Sequence, residues 1–232
     1  MRSAAAILVG LVAAAVLGLA AAALLNERAQ AFTLGVTRSS TLEVDGGQEI
    51  CQSPIAVPAD GAFDGVTFAV GTEHRPGPRV DVIVRAADPD RPSALRGVAV
   101  GRGSLLAGYP DVDRVPEHTV WTGRVGAERF VAVCLANRGK RRVFVYGNAD
   151  AAARSSTAFV DGVPVGADMA LEFERREPRS LAALAPAMID RAALFSARAV
   201  GAWTYVALGL LVLLVVPALL VLALRSAVRD PV

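Results

Sequence analysis

The chain has 232 residues, 53% of them hydrophobic, with a mean hydropathy of +0.44. Once two long apolar ends are set aside, the remainder suits one domain with its own core and is too short for two. From residue 32 to 202 arginine plus lysine balance aspartate plus glutamate, so strong electrostatic recruitment of nucleic acid is not expected.

Arg2 and the apolar run 4–25 open the chain. A charged start, an apolar stretch and Ala29-Gln30-Ala31 ahead of Phe32 have the layout of a secretory signal. The run is longer than a usual signal core and long enough to span a bilayer, so a retained transmembrane helix or signal anchor over 1–28 is the preferred expectation. Gly10, Ala14, Gly18 and Ala22 recur every fourth residue. They are read either as a close-packing stripe or as an alanine-rich spacer.

Residues 32–177 are punctuated by Gly, Pro and Asp, and their apolar residues alternate. Val66, Phe68 and Val70 fall on one strand face, as do Val80, Val82 and Val84, and Met169, Leu171 and Phe173 against Glu172 and Glu174. Further strands are expected around 32–36, 49–57, 98–105, 119–125, 130–136 and 143–146. In 130–136 both faces are apolar, which implies a central strand. Asn137-Arg138-Gly139 then supplies a turn.

After Glu177 the period becomes helical, with Leu181, Leu184, Met188 and Phe195 on one stripe. Pro178 suits a first-turn position, and Pro186 should kink or break the helix. An amphipathic connector over 178–201 is expected, lying on a membrane surface or packing on the sandwich. The uncharged run 203–224 places a second transmembrane helix at 202–225, followed by a cytoplasmic tail, 226–232. Arg225 and Arg229 put that tail inside, and Trp203 and Tyr205 suit the outer interface. The expected fold is therefore mainly β, an antiparallel β-sandwich or jelly roll flanked by N- and C-terminal transmembrane helices with an amphipathic juxtamembrane helix. The β-domain is expected on the extracytoplasmic side of the cytoplasmic membrane.

Cys51 and Cys134 are the only cysteines and fall on two expected strands. A disulfide between them suits an extracytoplasmic location, the alternative being two buried unpaired thiols. Asp111 and Asp113 offer oxygens to Ca²⁺ but lack the spaced ligands and glycine of a calcium loop, so an acidic turn is preferred and no metal is assigned. Asp88 and Asp90 read as turn residues. Gly101-Arg102-Gly103 lacks the strand-to-helix context of a phosphate loop, and no cofactor is assigned. No triad or metal-ligand constellation is legible, so an enzyme is not expected.

Sugar binding by a β-sandwich needs exposed rings beside polar groups. Tyr109, Trp121 and Tyr146 are the candidate rings, with Arg102, Asp111 and His118 as polar neighbours. The loop 72–79, with His74, Arg75 and Arg79 stiffened by Pro76 and Pro78, is the preferred protein-contact loop. Lys140, the only lysine, sits in the basic run 138–142, read as a solvated hairpin tip rather than a dock for anionic lipid or polymer.

Dominance of Ala, Val, Gly and Arg points to a GC-rich bacterial genome. The runs Glu49-Ile50-Cys51-Gln52 with Val57-Pro58, Val70-Gly71-Thr72 with Arg75-Pro76-Gly77-Pro78, and Val133-Cys134-Leu135-Ala136-Asn137-Arg138-Gly139 with Val145-Tyr146-Gly147 resemble an extracytoplasmic domain from actinobacteria. Such domains belong to small membrane proteins that accompany cell-envelope glycosyltransferases. The resemblance covers most of 49–147 and implies pairing of the two cysteines; it carries over no catalytic residue. The functional expectation is a membrane-anchored accessory or carbohydrate-binding-like module in envelope polysaccharide assembly. Its expected partners are the lipid bilayer, a membrane glycosyltransferase and envelope polysaccharide. The alternative is a non-catalytic structural subunit that binds a partner membrane protein.

Overall fold

The computed structural model describes residues 2–110, 116–149, 157–194, 202–219 and 222–223. Ala29–Glu177 forms one compact unit, and Met1–Arg28 with Pro178–Val232 forms another.

The first unit is built from strands β1 (Glu27–Thr33), β2 (Ser40–Val44), β3 (Glu49–Val57), β4 (Phe63–Gly71), β5 (Val80–Ala86), β6 (Ala99–Leu105), β7 (Glu117–Val125), β8 (Arg129–Asn137), β9 (Val143–Asn148), β10 (Thr157–Val160), β11 (Val163–Pro164), β12 (Asp168–Met169) and β13 (Leu171–Ser180). They form two sheets. One has the order β1-β13-β4-β9-β12, with β7 on β4 and β2 on β9; the other runs β11-β10-β3-β8-β5-β6. The register of the paired strands is antiparallel, and the two sheets make a β-sandwich.

Alternation decides which side chains meet inside. Val66, Phe68 and Val70 of β4, Leu171 and Phe173 of β13, and Val80, Val82 and Val84 of β5 are all buried in one apolar cluster with Ile50, Ile55, Val133 and Leu135. Phe32, Phe63 and Phe173 lock together there, Phe32 stacked on Phe173 at 4.2 Å and Phe63 edge-on to it at 4.8 Å. Each buried phenylalanine contributes roughly 1.5–3 kcal/mol from removal of apolar surface from water. β8 lies between β3 and β5, and both of its faces are covered: Val131, Val133 and Leu135 enter the main core, while Ala132 and Cys134 pack with Leu95 on the outer side. Ala31 and Phe32, on either side of the bond that a signal-type cleavage would cut, lie buried in β1.

Gly101 and Gly103 have a packing role. A Cβ on Gly103 would stand 2.5 Å from the Trp121 carbonyl oxygen, and one on Gly101 would stand 3.1 Å from that of Thr122. Two glycines thus let the edge strand β6 of one sheet press against β7 of the other, closing the sandwich on that side. Strands β2, β10 and β11 escaped the sequence reading because they are short and frame turns, and the strand expected through Met169, Leu171 and Phe173 is split, Met169 pairing in β12 with β9 and Leu171 and Phe173 in β13 with β4. β1 begins earlier than expected and ends at Thr33.

The second unit contains helices α1 (Arg2–Leu25), α2 (Leu181–Leu194) and α3 (Ala202–Leu210), the last continuing into a π-helical segment, Leu211–Val215. Among the described residues no helix is long and apolar enough to cross a membrane, so the transmembrane helices expected at 1–28 and 202–225 are not seen. The physical reason is continuity. At 1.5 Å per residue α3 covers about 14 Å, half of the roughly 30 Å hydrocarbon layer, before the π-helical segment interrupts it.

The connector is helical in α2, which runs through Pro186 without ending there. Pro178 belongs to β13, and Ser180 caps the helix by accepting from the Ala183 N–H at 3.3 Å. Leu184 is buried while Met188 is exposed; Phe195 of the expected stripe lies outside the described residues.

Candidate functional site

Among the residues proposed as a sugar site, Tyr109 and His118 meet each other, while Trp121 and Arg102 occupy exposed positions on β7 and β6. His118 and Val120 of β7 pair with Phe68 and Val66 and face inward; Glu117, Thr119 and Trp121 face out of the sandwich. Tyr109 is 7% exposed, edge-on to His118 at 4.9 Å. A Cβ on Gly77 would overlap its ring, so Tyr109 is packed against backbone on that side. The Nε2 of His118 has no partner among the described residues, and burial pushes its pKa below the ordinary imidazole value. Arg102 is exposed on β6, on the opposite alternation from Gly101 and Gly103. Asp111 and Asp113 lie outside the described residues. Tyr146 lies on β9 opposite Thr41.

Trp121 behaves differently. It is 43% exposed on the outer face of the seven-stranded sheet. Its register neighbour on β4 is Gly65, whose own neighbour on β13 is Glu174. A Cβ on Gly65 would meet Trp121 Cε3 at 2.7 Å and Cζ3 at 3.0 Å, so the indole lies across the space that the glycine leaves. The guanidinium of Arg176 stands 5.4 Å from the ring centroid. Beside them Thr67 and Thr119 join hydroxyls at 2.7 Å, and Arg38 bridges Glu117 and, at 3.1 Å, Glu172.

Glu174 is the polar group left over. It makes no hydrogen bond or ion pair among the described residues. Burial and then repulsion from Glu172 raise its pKa above the ordinary carboxylate value, with Arg175 opposing. This face thus offers a supported ring, an acceptor with unused lone pairs and a pair of hydroxyls in one patch. Gly65, Glu174 and Arg176 were missed in the sequence because their proximity to Trp121 is a matter of cross-strand register. The alternation of Glu172 and Glu174 against Leu171 and Phe173 was the one available signal.

A second concavity of about 860 Å³ lies on the outer side of the six-stranded sheet, lined among others by Glu49, Cys51, Arg85, Ser93, Leu95 and Asp161. Cys51 and Cys134 face each other on β3 and β8 and form a disulfide. Arg85 reaches Glu49 with both terminal nitrogens, at 2.8 and 3.2 Å, and donates to the Leu95 carbonyl at 2.7 Å. Arg85 and Glu49 are spent on one another, and the bond to Leu95 ties the 87–98 connection down over the disulfide. Glu49, Cys51 and Cys134 are the one group of metal-type donors gathered among the described residues. The two sulfurs are bonded to each other, so only the Glu49 carboxylate remains as a ligand.

In the loop 72–79, Glu73 and His74 adopt left-handed φ values of 54° and 60°. Arg75 is exposed. Arg79 is also exposed, paired with Asp81 at 2.8 Å and donating to Ser104 at 3.1 Å.

No protein-family model matches the chain, and no curated protein matches it. Among solved structures, CsCBM6-3 from Clostridium stercorarium in complex with cellobiose aligns at 10% identity over 52% of this chain and 89% of that one. Its TM-score is 0.29, too low to establish a shared fold.

Proposed function

We propose that the sandwich is a non-catalytic glycan-binding module whose ligand lies on the outer face of the seven-stranded sheet, against Trp121. The observation that carries this reading is the half-exposed indole laid over Gly65, with Glu174 unpaired beside it. The apolar face of a pyranose covers the ring, Glu174 accepts from a sugar hydroxyl, and Arg176 donates from the far side. Covering about 60–100 Å² of indole supplies roughly 1.5–2.5 kcal/mol, enough for tenfold or more in affinity.

A binding role is favoured over hydrolysis because, among the described residues, Arg38 ties up Glu117 and Glu172 and the Asp64 carboxylate accepts from the Arg176 N–H, so no second free carboxylate stands beside Glu174 as a partner acid or base. The disulfide supports folding in an oxidising, extracytoplasmic compartment. The resemblance of 49–147 to domains that accompany envelope glycosyltransferases motivates the narrower reading that the glycan is an envelope polysaccharide.

The test is calorimetric titration of the full chain with cello-, xylo-, manno-, chito- and arabino-oligosaccharides. At least one is expected to bind, and Trp121→Ala is expected to weaken it about tenfold or more. Equal binding by Trp121→Ala, or no binding by any member, contradicts the reading.

A further inference from the structure

Three connections far apart in sequence meet at one end of the sandwich. A Cβ on Gly139 would stand 2.3 Å from Pro78 Cβ, and one on Gly46 would stand 2.7 Å from the Gly139 carbonyl oxygen. The Gly47 N–H donates to Asn137 O at 2.9 Å, and the Arg138 N–H donates to Arg79 O at 2.9 Å. The β2–β3 turn, the loop 72–79 and the turn 138–142 therefore form one continuous surface.

Six cations lie on it, and they sort into two kinds. Arg79 and Arg138 share Asp81, at 2.8 and 2.9 Å; Arg142 is held by Glu43 at 2.6 Å and Asp45 at 2.7 Å. Burial alone would raise the Asp81 pKa, but hydrogen bonds from Ser104, Arg138 and Arg79 outweigh it and hold the carboxyl at about 2. These three arginines fasten loops to the sheet. Arg75, Lys140 and Arg141 are exposed, and their side chains have no hydrogen bond or ion pair among the described residues.

The loop that presents Arg75 is held in a costly shape. Glu73 and His74 are both non-glycine residues in the left-handed region, which side chains with a Cβ rarely adopt. The shape persists because the Thr72 hydroxyl donates to the Arg75 carbonyl, the Arg75 N–H donates to Thr72 O at 3.3 Å, and Pro78 is wedged against Gly139. A cation on a stiff loop loses little freedom when it binds.

We propose that this end of the sandwich binds a flexible polyanion with closely spaced phosphate groups, through Arg75, Lys140 and Arg141. Exposed single cations gain little from a monovalent anion in salt water. A phosphate chain is different, because each contact releases condensed counterions and the gains accumulate along one molecule. A flat anionic membrane fits less well, since Glu43, Asp45 and Glu73 share this end and would be pressed against it. A flexible chain threads between the cations and avoids those acids. The surface does not depend on the Trp121 reading.

The probe is inorganic polyphosphate of defined length, titrated into the full chain at several salt concentrations. Binding is expected, with log K falling linearly in log salt. Replacing Arg75, Lys140 and Arg141 together by Gln should weaken it tenfold or more at low salt and reduce the slope by about 2–3. Replacing Arg102, Arg124 and Arg129, which removes the same charge elsewhere, should leave most of the affinity. Trp121→Ala should leave it unchanged. Both triple variants change exposed side chains, and unaltered thermal unfolding verifies their fold. No binding at low salt, equal loss in the two triple variants, or tighter binding to phosphatidylglycerol vesicles than to polyphosphate at equal accessible phosphate would overturn the proposal. Capture of an acidic protein without polyphosphate binding would do the same.

Discussion

The two outer faces of the sandwich treat apolar groups in opposite ways. On the six-stranded sheet Cys51, Cys134, Ala132 and Phe159 would all be bare, yet they are buried because Leu95 from the 87–98 connection folds over them. Arg85 fastens that connection through Glu49 and the Leu95 carbonyl. On the seven-stranded sheet Trp121 has a glycine beneath it and, among the described residues, no loop closed over it, and 43% of it faces solvent. The chain covers one apolar patch with its own residues and leaves the other open. Cover over the first contributes to stability, whereas the exposed ring is available to a ligand.

Substitutions on the two faces should separate along that line. Replacing both Cys51 and Cys134 by Ala removes a link across 83 residues and should cost about 4 kcal/mol on the chain-entropy model, read as a lower denaturant midpoint. Leu95→Ala should cost roughly 2–3 kcal/mol, from the lost burial and the cavity above the disulfide. On the open face Gly65→Ala places a methyl 2.7 Å from Trp121 Cε3. It should cost about 1 kcal/mol and displace the indole, weakening glycan binding. Trp121→Ala should cost less than about 1 kcal/mol in stability while removing glycan binding. Equal stability losses for Leu95→Ala and Trp121→Ala would erase the distinction.

The smallest effect concerns pH. The folded pKa of Glu174 is raised, first by burial, so the native state holds this proton at pH values where the unfolded chain has released it. Stability from this group therefore falls as pH rises from about 4.5 through the raised value. Glu174→Gln should remove that decline, seen as a flatter thermal midpoint across the window.

Much of the sandwich was legible because a buried face imposes period two. Val66, Phe68 and Val70, and the two-sided burial of 130–136, could be read without knowing any partner strand. The cysteine pair was legible for the same reason, as two apolar strands each carrying one thiol. The site was not, because it depends on register. Gly65, Trp121 and Glu174 are far apart in sequence and become neighbours only through two successive pairings. An imidazole carries no mark of which strand face it occupies, and His118 on β7 turns inward, where Tyr109 from the connection before β7 packs edge-on against it. The apolar ends misled in another way. Hydropathy registers composition, while a span also needs an unbroken α-helix, and α3 gives way to a π-helical segment after Leu210.

The most direct measurement follows the fluorescence of Trp121 itself. The chain has two tryptophans, so replacing Trp203 by Phe leaves Trp121 as the sole reporter. Titration of that variant with the oligosaccharide selected by calorimetry should give a saturable blue shift, as water over a half-exposed indole is replaced by a sugar ring. The midpoint should match the calorimetric one, and Glu174→Gln should move it to higher concentration. An emission spectrum that stays constant while the oligosaccharide binds would place the ligand elsewhere and contradict the account.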